Sequence, residues 1–69
     1  MRRAREIREA RGFSLNDVIR VLPVKISGPE LSRFERGEQE LGRRKLLALA
    51  ELYHCSVEDL WAEAEPAVV

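Results

Sequence analysis

Cysteine is almost absent from this 69-residue chain: Cys55 stands alone. That excludes an internal disulfide and suits a reducing cytoplasm. Long apolar runs are missing as well. The longest, Leu46 to Ala50, falls far short of the roughly 20 residues a membrane-spanning helix needs. Arg2, Arg3 and Arg5 are not followed by the apolar stretch of a secretory leader. Histidine occurs once, and no second pair of ligands stands at metal spacing from His54 and Cys55, so neither a metal nor a cofactor is expected. There is no glycine-rich phosphate loop and no convergent acid–base set, and the chain is too short to enclose a substrate pocket. An enzyme and a small-molecule ligand are therefore not expected.

Net charge is also absent, at +0 overall, which removes any blanket attraction to nucleic acid. The distribution restores it. Residues 1–37 carry nine Lys/Arg against five Asp/Glu, and residues 38–69 carry three against seven. A chain polarised by four charges in each direction can present one basic face, and a phosphate backbone responds to that local field.

What the chain does have is helix punctuation. Arg2 to Arg11 reads as a helix, with Ala4, Ile7 and Ala10/Arg11 at helical spacing and Gly12 as its stop. Ser14-Leu15-Asn16-Asp17 is a capping box opening a second helix, which Pro23 closes after Leu22. Val18, Ile19 and Leu22 form its apolar stripe, and Val24 or Ile26 is expected to plug the core from the connection that follows. A fourth helix is expected over Arg43 to about Tyr53, with Leu46, Leu47, Ala50 and Tyr53 apolar, Leu49 a further candidate for that face, and His54 at its end. Ser56-Val57-Glu58-Asp59 is another capping box, opening a fifth helix with Val57, Leu60 and Trp61 inward and Pro66 as its stop. The expected domain is 1–64, with 65–69 as a flexible tail and no separate effector domain.

The organising stretch is Ser27-Gly28-Pro29-Glu30-Leu31-Ser32-Arg33-Phe34-Glu35-Arg36-Gly37. Ser27 and Glu30 form a capping box, Pro29 sits in the first turn where its missing N–H costs nothing, and Gly37 supplies a left-handed stop. Leu31, Phe34 and Glu35 share one face, while Pro29, Ser32, Arg33 and Arg36 share the other. With two large apolar residues inward, this helix needs a scaffold, and its arginine face points away from that scaffold. Two short capped helices joined by a tight connection read as a helix-turn-helix.

The chain resembles the lambda-repressor-like domain of phage Cro and repressor proteins, the XRE-type regulators. The resemblance covers about residues 4–61. It rests on Ile7-Arg8 and Arg11-Gly12-Phe13-Ser14, on Leu31 to Glu38, on Leu46 to Ala50, and on Cys55 to Leu60. It implies an all-α, compact five-helix fold whose third helix, 28–36, lies in the DNA major groove while the second crosses the backbone. By position, base-reading groups would come from Gly28, Pro29, Ser32 and Arg33, with Arg36 at the far end. Phosphate contacts would come from Ser14, Asn16, Arg43 and Arg44, and Arg8 with Glu35 matches a buried structural ion pair. The partner implied is double-stranded DNA bound by a homodimer, with dimer contacts expected from the fifth helix, Trp61 and residues 66–69. The sequence departs from the family pattern at several points. Gly28 and Pro29 replace polar base readers, Leu15 replaces a glutamine, Ile19 stands where a small alanine is usual, and the connection before Ser27 is about two residues longer. Glu38 and Glu40 bring carboxylates to a loop expected to face DNA.

Arg33 is the strongest base-contact candidate, since a guanidinium pairs bidentately with guanine O6 and N7. Arg36 can lie on a phosphate or pair with Glu40. Arg43, Arg44 and Lys45 oppose the dipole of their own helix, an arrangement suited to an anion there; the other reading pairs them with Glu38 and Glu40. The competing function is a protein-interaction module of the same fold, binding a protein partner as an antitoxin or phage adaptor does.

Overall fold

The computed structural model describes residues 2–62, which form five helices and no strand. The helices are α1 (Arg3–Ala10), α2 (Leu15–Val21), α3 (Gly28–Glu35), α4 (Arg43–Tyr53) and α5 (Val57–Trp61). The boundary expected after residue 64 and the Pro66 stop lie outside the described residues.

Local chemistry accounts for the ends. All three capping boxes form. The backbone N–H groups of Asp17, Glu30 and Asp59 donate to the hydroxyls of Ser14, Ser27 and Ser56 at 3.1, 3.2 and 3.2 Å. The three carboxylates accept in return from the serine N–H groups. Gly12 and Gly37 adopt φ of 80° and 78° after α1 and α3, a left-handed conformation that glycine enters without strain. His54 performs the same turn after α4 at φ 56°, as a residue with a side chain. The connection from α2 to α3 runs over Leu22–Ser27. Ile26 is the residue it buries, and Val24 packs at the core's margin.

The core is one cluster to which all five helices contribute. Val18, Leu31, Phe34, Leu49, Tyr53 and Leu60 are its fully buried large side chains. α1 packs on α3 and α5, α4 on α5, and α2 on α3, so α3 rests with Leu31 and Phe34 against the rest of the molecule. Arg11 Nε donates to the Tyr53 carbonyl at 2.9 Å, placing a cation at the C-terminal end of α4.

Several inward assignments differ from expectation. Trp61 is 46% exposed and Leu47 45%, while Leu49 is fully buried. Ala10 is exposed too. At an 11-residue length α4 buries Leu46, Ala48, Leu49, Ala50 and Tyr53, and Leu47 falls at the edge of the Leu46–Ala50 side. Periodicity allows both 47 and 49 on the inward face; the structure buries Leu49 and leaves Leu47 exposed beside Val57 and Trp61 of α5.

Candidate nucleic-acid interface

The base of the site is a buried ion pair. Arg8 Nε donates to Glu35 Oε2 at 2.8 Å and Nη2 to Oε1 at 3.2 Å, while Nη1 donates to the Phe13 carbonyl at 2.8 Å. Arg8 and Glu35 are 7% and 3% exposed. The bond to Glu35 holds the Arg8 guanidinium above its ordinary pKa, against the opposing effect of burial. One side chain thus fixes the end of α1, the corner before α2 and the inner face of α3. Beside it the Tyr53 hydroxyl is buried with no hydrogen-bond partner among the described residues. Burial pushes its pKa up, and the nearby Glu35 carboxylate adds to the shift.

On this base α3 turns Pro29, Arg33 and Arg36 to solvent, with Ser32 half-buried. Arg33 has no ion pair or side-chain hydrogen bond among the described residues. Arg36 Nε lies 3.2 Å from Glu38 Oε2, so its carboxylate neighbour is Glu38 rather than Glu40. Between α1, the start of α2 and α3 lies a depression of about 220 Å³ lined by Arg5, Leu15, Ser32 and Arg36 above the Arg8–Glu35 pair. Ser14 and Asn16 are exposed at the start of α2.

Gly28 is half-buried, and a Cβ built on it would meet Ile19 Cδ1 at 3.4 Å. That is an ordinary van der Waals distance, so Ile19 on α2 and Gly28 on α3 stand side by side where the two helices meet.

The cations at the start of α4 separate into different environments. Lys45 Nζ lies 2.6 Å from Glu30 Oε2, tying α4 to the first turn of α3. That bond is the main cause of the Glu30 carboxyl's lowered pKa. Arg43 and Arg44 are exposed and have no ion pair among the described residues. Arg43 lines a depression with Leu47, Glu58 and Trp61.

Glu40 is drawn to the other side of its loop. It accepts from both terminal nitrogens of Arg2, and from Trp61 Nε1 at 3.0 Å. The Arg2 guanidinium lies 4.6 Å from the centre of the Phe34 ring, and the Arg2 N–H donates to the Glu35 carbonyl at 2.8 Å. The next N–H, of Arg3, donates to the Ala62 carbonyl at 2.7 Å. Arg2 is thus a positioning residue for the end of α3 that sequence reasoning missed. Nothing local signals it, because its partners are 32 to 38 positions away along the chain.

No group of three or more His, Cys, Asp or Glu among the described residues is arranged to hold a metal ion. Burial raises the Cys55 thiol's pKa, with Asp59 adding, which keeps it protonated and a poor nucleophile. No helix of the described residues is long and apolar enough to cross a membrane.

A short capped helix braced by a second across a tight connection, with its polar side outward, defines the helix-turn-helix class. Residues 2–63 match the helix-turn-helix domain family, and the chain belongs to that family. The match spans nearly the whole chain and accords with the lambda-repressor-like resemblance. No curated protein and no solved structure gives a significant match.

Proposed function

We propose that this domain is a sequence-specific, double-stranded-DNA-binding transcriptional regulator of the small prokaryotic or phage repressor type, working in the cytoplasm as a homodimer. It lays α3 in the major groove. The observation that carries this reading is the pattern of unused cations. Lys45 is spent on Glu30, Arg8 on Glu35 and Arg2 on Glu40. Arg33 on α3, and Arg43 and Arg44 at the start of α4, have no such partner among the described residues.

Arg33 reads base edges and Arg44, with Arg43 beside it, holds phosphates; Ser14 and Asn16 hold the backbone from the start of α2. Arg36 serves at the far end of α3 once Glu38 yields it. Ser32 adds a hydroxyl, while Gly28 and Pro29 contribute close approach of the backbone rather than side-chain readout. Selectivity then leans on Arg33 and on DNA shape, which gives a short or degenerate site.

The test is a contrast on a site selected from random DNA, titrated at two salt concentrations. Arg33→Ala should cost about 1–3 kcal/mol there and relax preference at one or two base pairs, with little change on random duplex. Arg44→Ala should weaken binding to all sequences alike and lower the salt slope by about one unit. If Arg33→Ala leaves both preference and affinity untouched, α3 is not a DNA reader, and the protein-interaction reading replaces it.

A further inference from the structure

Backbone bonds tie the Arg2–Arg3 segment to the ends of two helices. The Arg2 N–H donates to the Glu35 carbonyl at the end of α3 at 2.8 Å, and the Arg3 N–H to the Ala62 carbonyl just beyond α5 at 2.7 Å. The Arg2 guanidinium is further held over the Phe34 ring, 4.6 Å from its centre. From these anchored positions two side chains converge on one carboxylate. Arg2 Nη1 and Nη2 donate to the two oxygens of Glu40, and Trp61 Nε1 donates to Oε1 at 3.0 Å.

Glu40 belongs to the loop, residues 36–42, that joins α3 to α4, and with them the elements bearing Arg33 and bearing Arg43 and Arg44. It precedes Arg43 by three residues. Their Cα atoms therefore lie no more than about 11 Å apart, close to one Debye length at moderate salt. An unanswered carboxylate there would repel any phosphate held at the start of α4. The loop's other acid, Glu38, is answered from within the loop by Arg36 at 3.2 Å. Glu40 is answered from outside it, by a two-pronged guanidinium contact and an indole N–H. The Arg2 side chain is 11% exposed and that of Glu40 64%. The cation is thus the fixed member of the pair, and the carboxylate is the member that swings into solvent on release.

We propose that Arg2 and Trp61 are positioning residues for duplex binding, which clasp the Glu40 carboxylate and hold its charge away from the phosphates at the start of α4. The clasp itself stands on the geometry; its consequence for DNA rests on the reading given above. Neither residue touches the duplex. Their effect passes through Glu40, so neutralising Glu40 removes the need for them. A direct contact between Arg2 and a phosphate has the opposite signature, because Arg2 then matters whether or not Glu40 is charged.

The experiment is a double-mutant cycle on the full chain, with a duplex of random sequence titrated at two salt concentrations. Arg2→Met keeps the backbone N–H and an unbranched stem over Phe34 while removing the guanidinium. It should weaken binding by about three- to tenfold, with a salt slope reduced by up to about one unit. Trp61→Phe should act in the same direction and less strongly. Glu40→Gln should bind at least as tightly as wild type, and on that background both Arg2→Met and Trp61→Phe should lose their effect. Far-UV circular dichroism should be the same throughout. The chain has a single tryptophan, so its one indole N–H resonance reports the clasp without DNA; it should move upfield in Glu40→Gln. Unchanged binding in Arg2→Met overturns the proposal, as does a double variant as weak as Arg2→Met alone, or an indole resonance indifferent to Glu40→Gln. Where the wild-type chain binds duplex, these outcomes leave the DNA reading standing. Absence of duplex binding by the wild-type chain overturns that reading and the proposal with it.

Discussion

Arg8 holds three parts of the molecule through one guanidinium, and its energetic weight follows from what its loss of a partner would strand. Removing the Glu35 carboxylate leaves a 7%-exposed cation with only the Phe13 carbonyl. Glu35→Ala should therefore destabilise by about 3 kcal/mol, and Arg8→Met with Glu35→Leu should recover most of that loss. The neighbouring Tyr53 hydroxyl supplies a control of opposite sign. Because it is buried without a partner among the described residues, Tyr53→Phe should leave stability unchanged or raise it by up to about 1 kcal/mol. Urea melts measure all three. Glu35→Ala within a few tenths of wild type would dismiss the ion pair, and a loss above about 1 kcal/mol for Tyr53→Phe would show the hydroxyl to be bonded.

Among the helices, α3 owes its shape to its ends and its position to others. The Ser27–Glu30 box and Pro29 start it and Gly37 releases the chain, but Lys45 from α4, Arg8 from α1 and Arg2 from before α1 set where it sits. α4 ends less comfortably. His54 takes the left-handed conformation at φ 56°, and its side chain is exposed, so little packing is lost on removing it. His54→Gly should raise stability by about 0.5–1 kcal/mol, because glycine occupies that region without a Cβ clash. A fall in melting temperature for this variant would mean that the imidazole makes a contact outweighing the backbone strain.

Across the whole molecule, acid stability is set by carboxylates bound to helix starts and to arginine or lysine. Asp17 and Asp59 sit below their ordinary pKa chiefly through the backbone N–H groups of Ser14 and Ser56. Glu30 does so through Lys45 and Glu40 through Arg2. A depressed carboxylate binds fewer protons folded than unfolded. Its contribution is therefore complete above the unfolded pKa and disappears as pH falls through the folded one. Stability should be flat near neutrality and decline progressively below about pH 5. Thermal melts between neutrality and that range test this, and a melting temperature that rises on acidification would contradict it. The same set of pairs takes up much of the charge internally, and Arg33, Arg43 and Arg44 keep no ion-pair partner among the described residues.

Helix number, helix ends and the inward face of α3 were determined by the sequence, because capping boxes, prolines and glycines act through bonds three or four residues long. The Arg8–Glu35 pair was legible for a related reason: a charge at an inward position demands an opposite charge on a neighbouring helix. Tertiary structure alone decided the rest. Leu47 and Leu49 are equally apolar, and only the assembled core buried one and left the other exposed beside α5. Ile19 and Gly28 read as separate departures until the packing of α2 on α3 set them side by side. Glu40 and Lys45 were drawn off the expected DNA face by Arg2, Trp61 and Glu30. Those contacts are set by chain segments brought together through burial of the core, and no local pattern encodes which distant charge will arrive first.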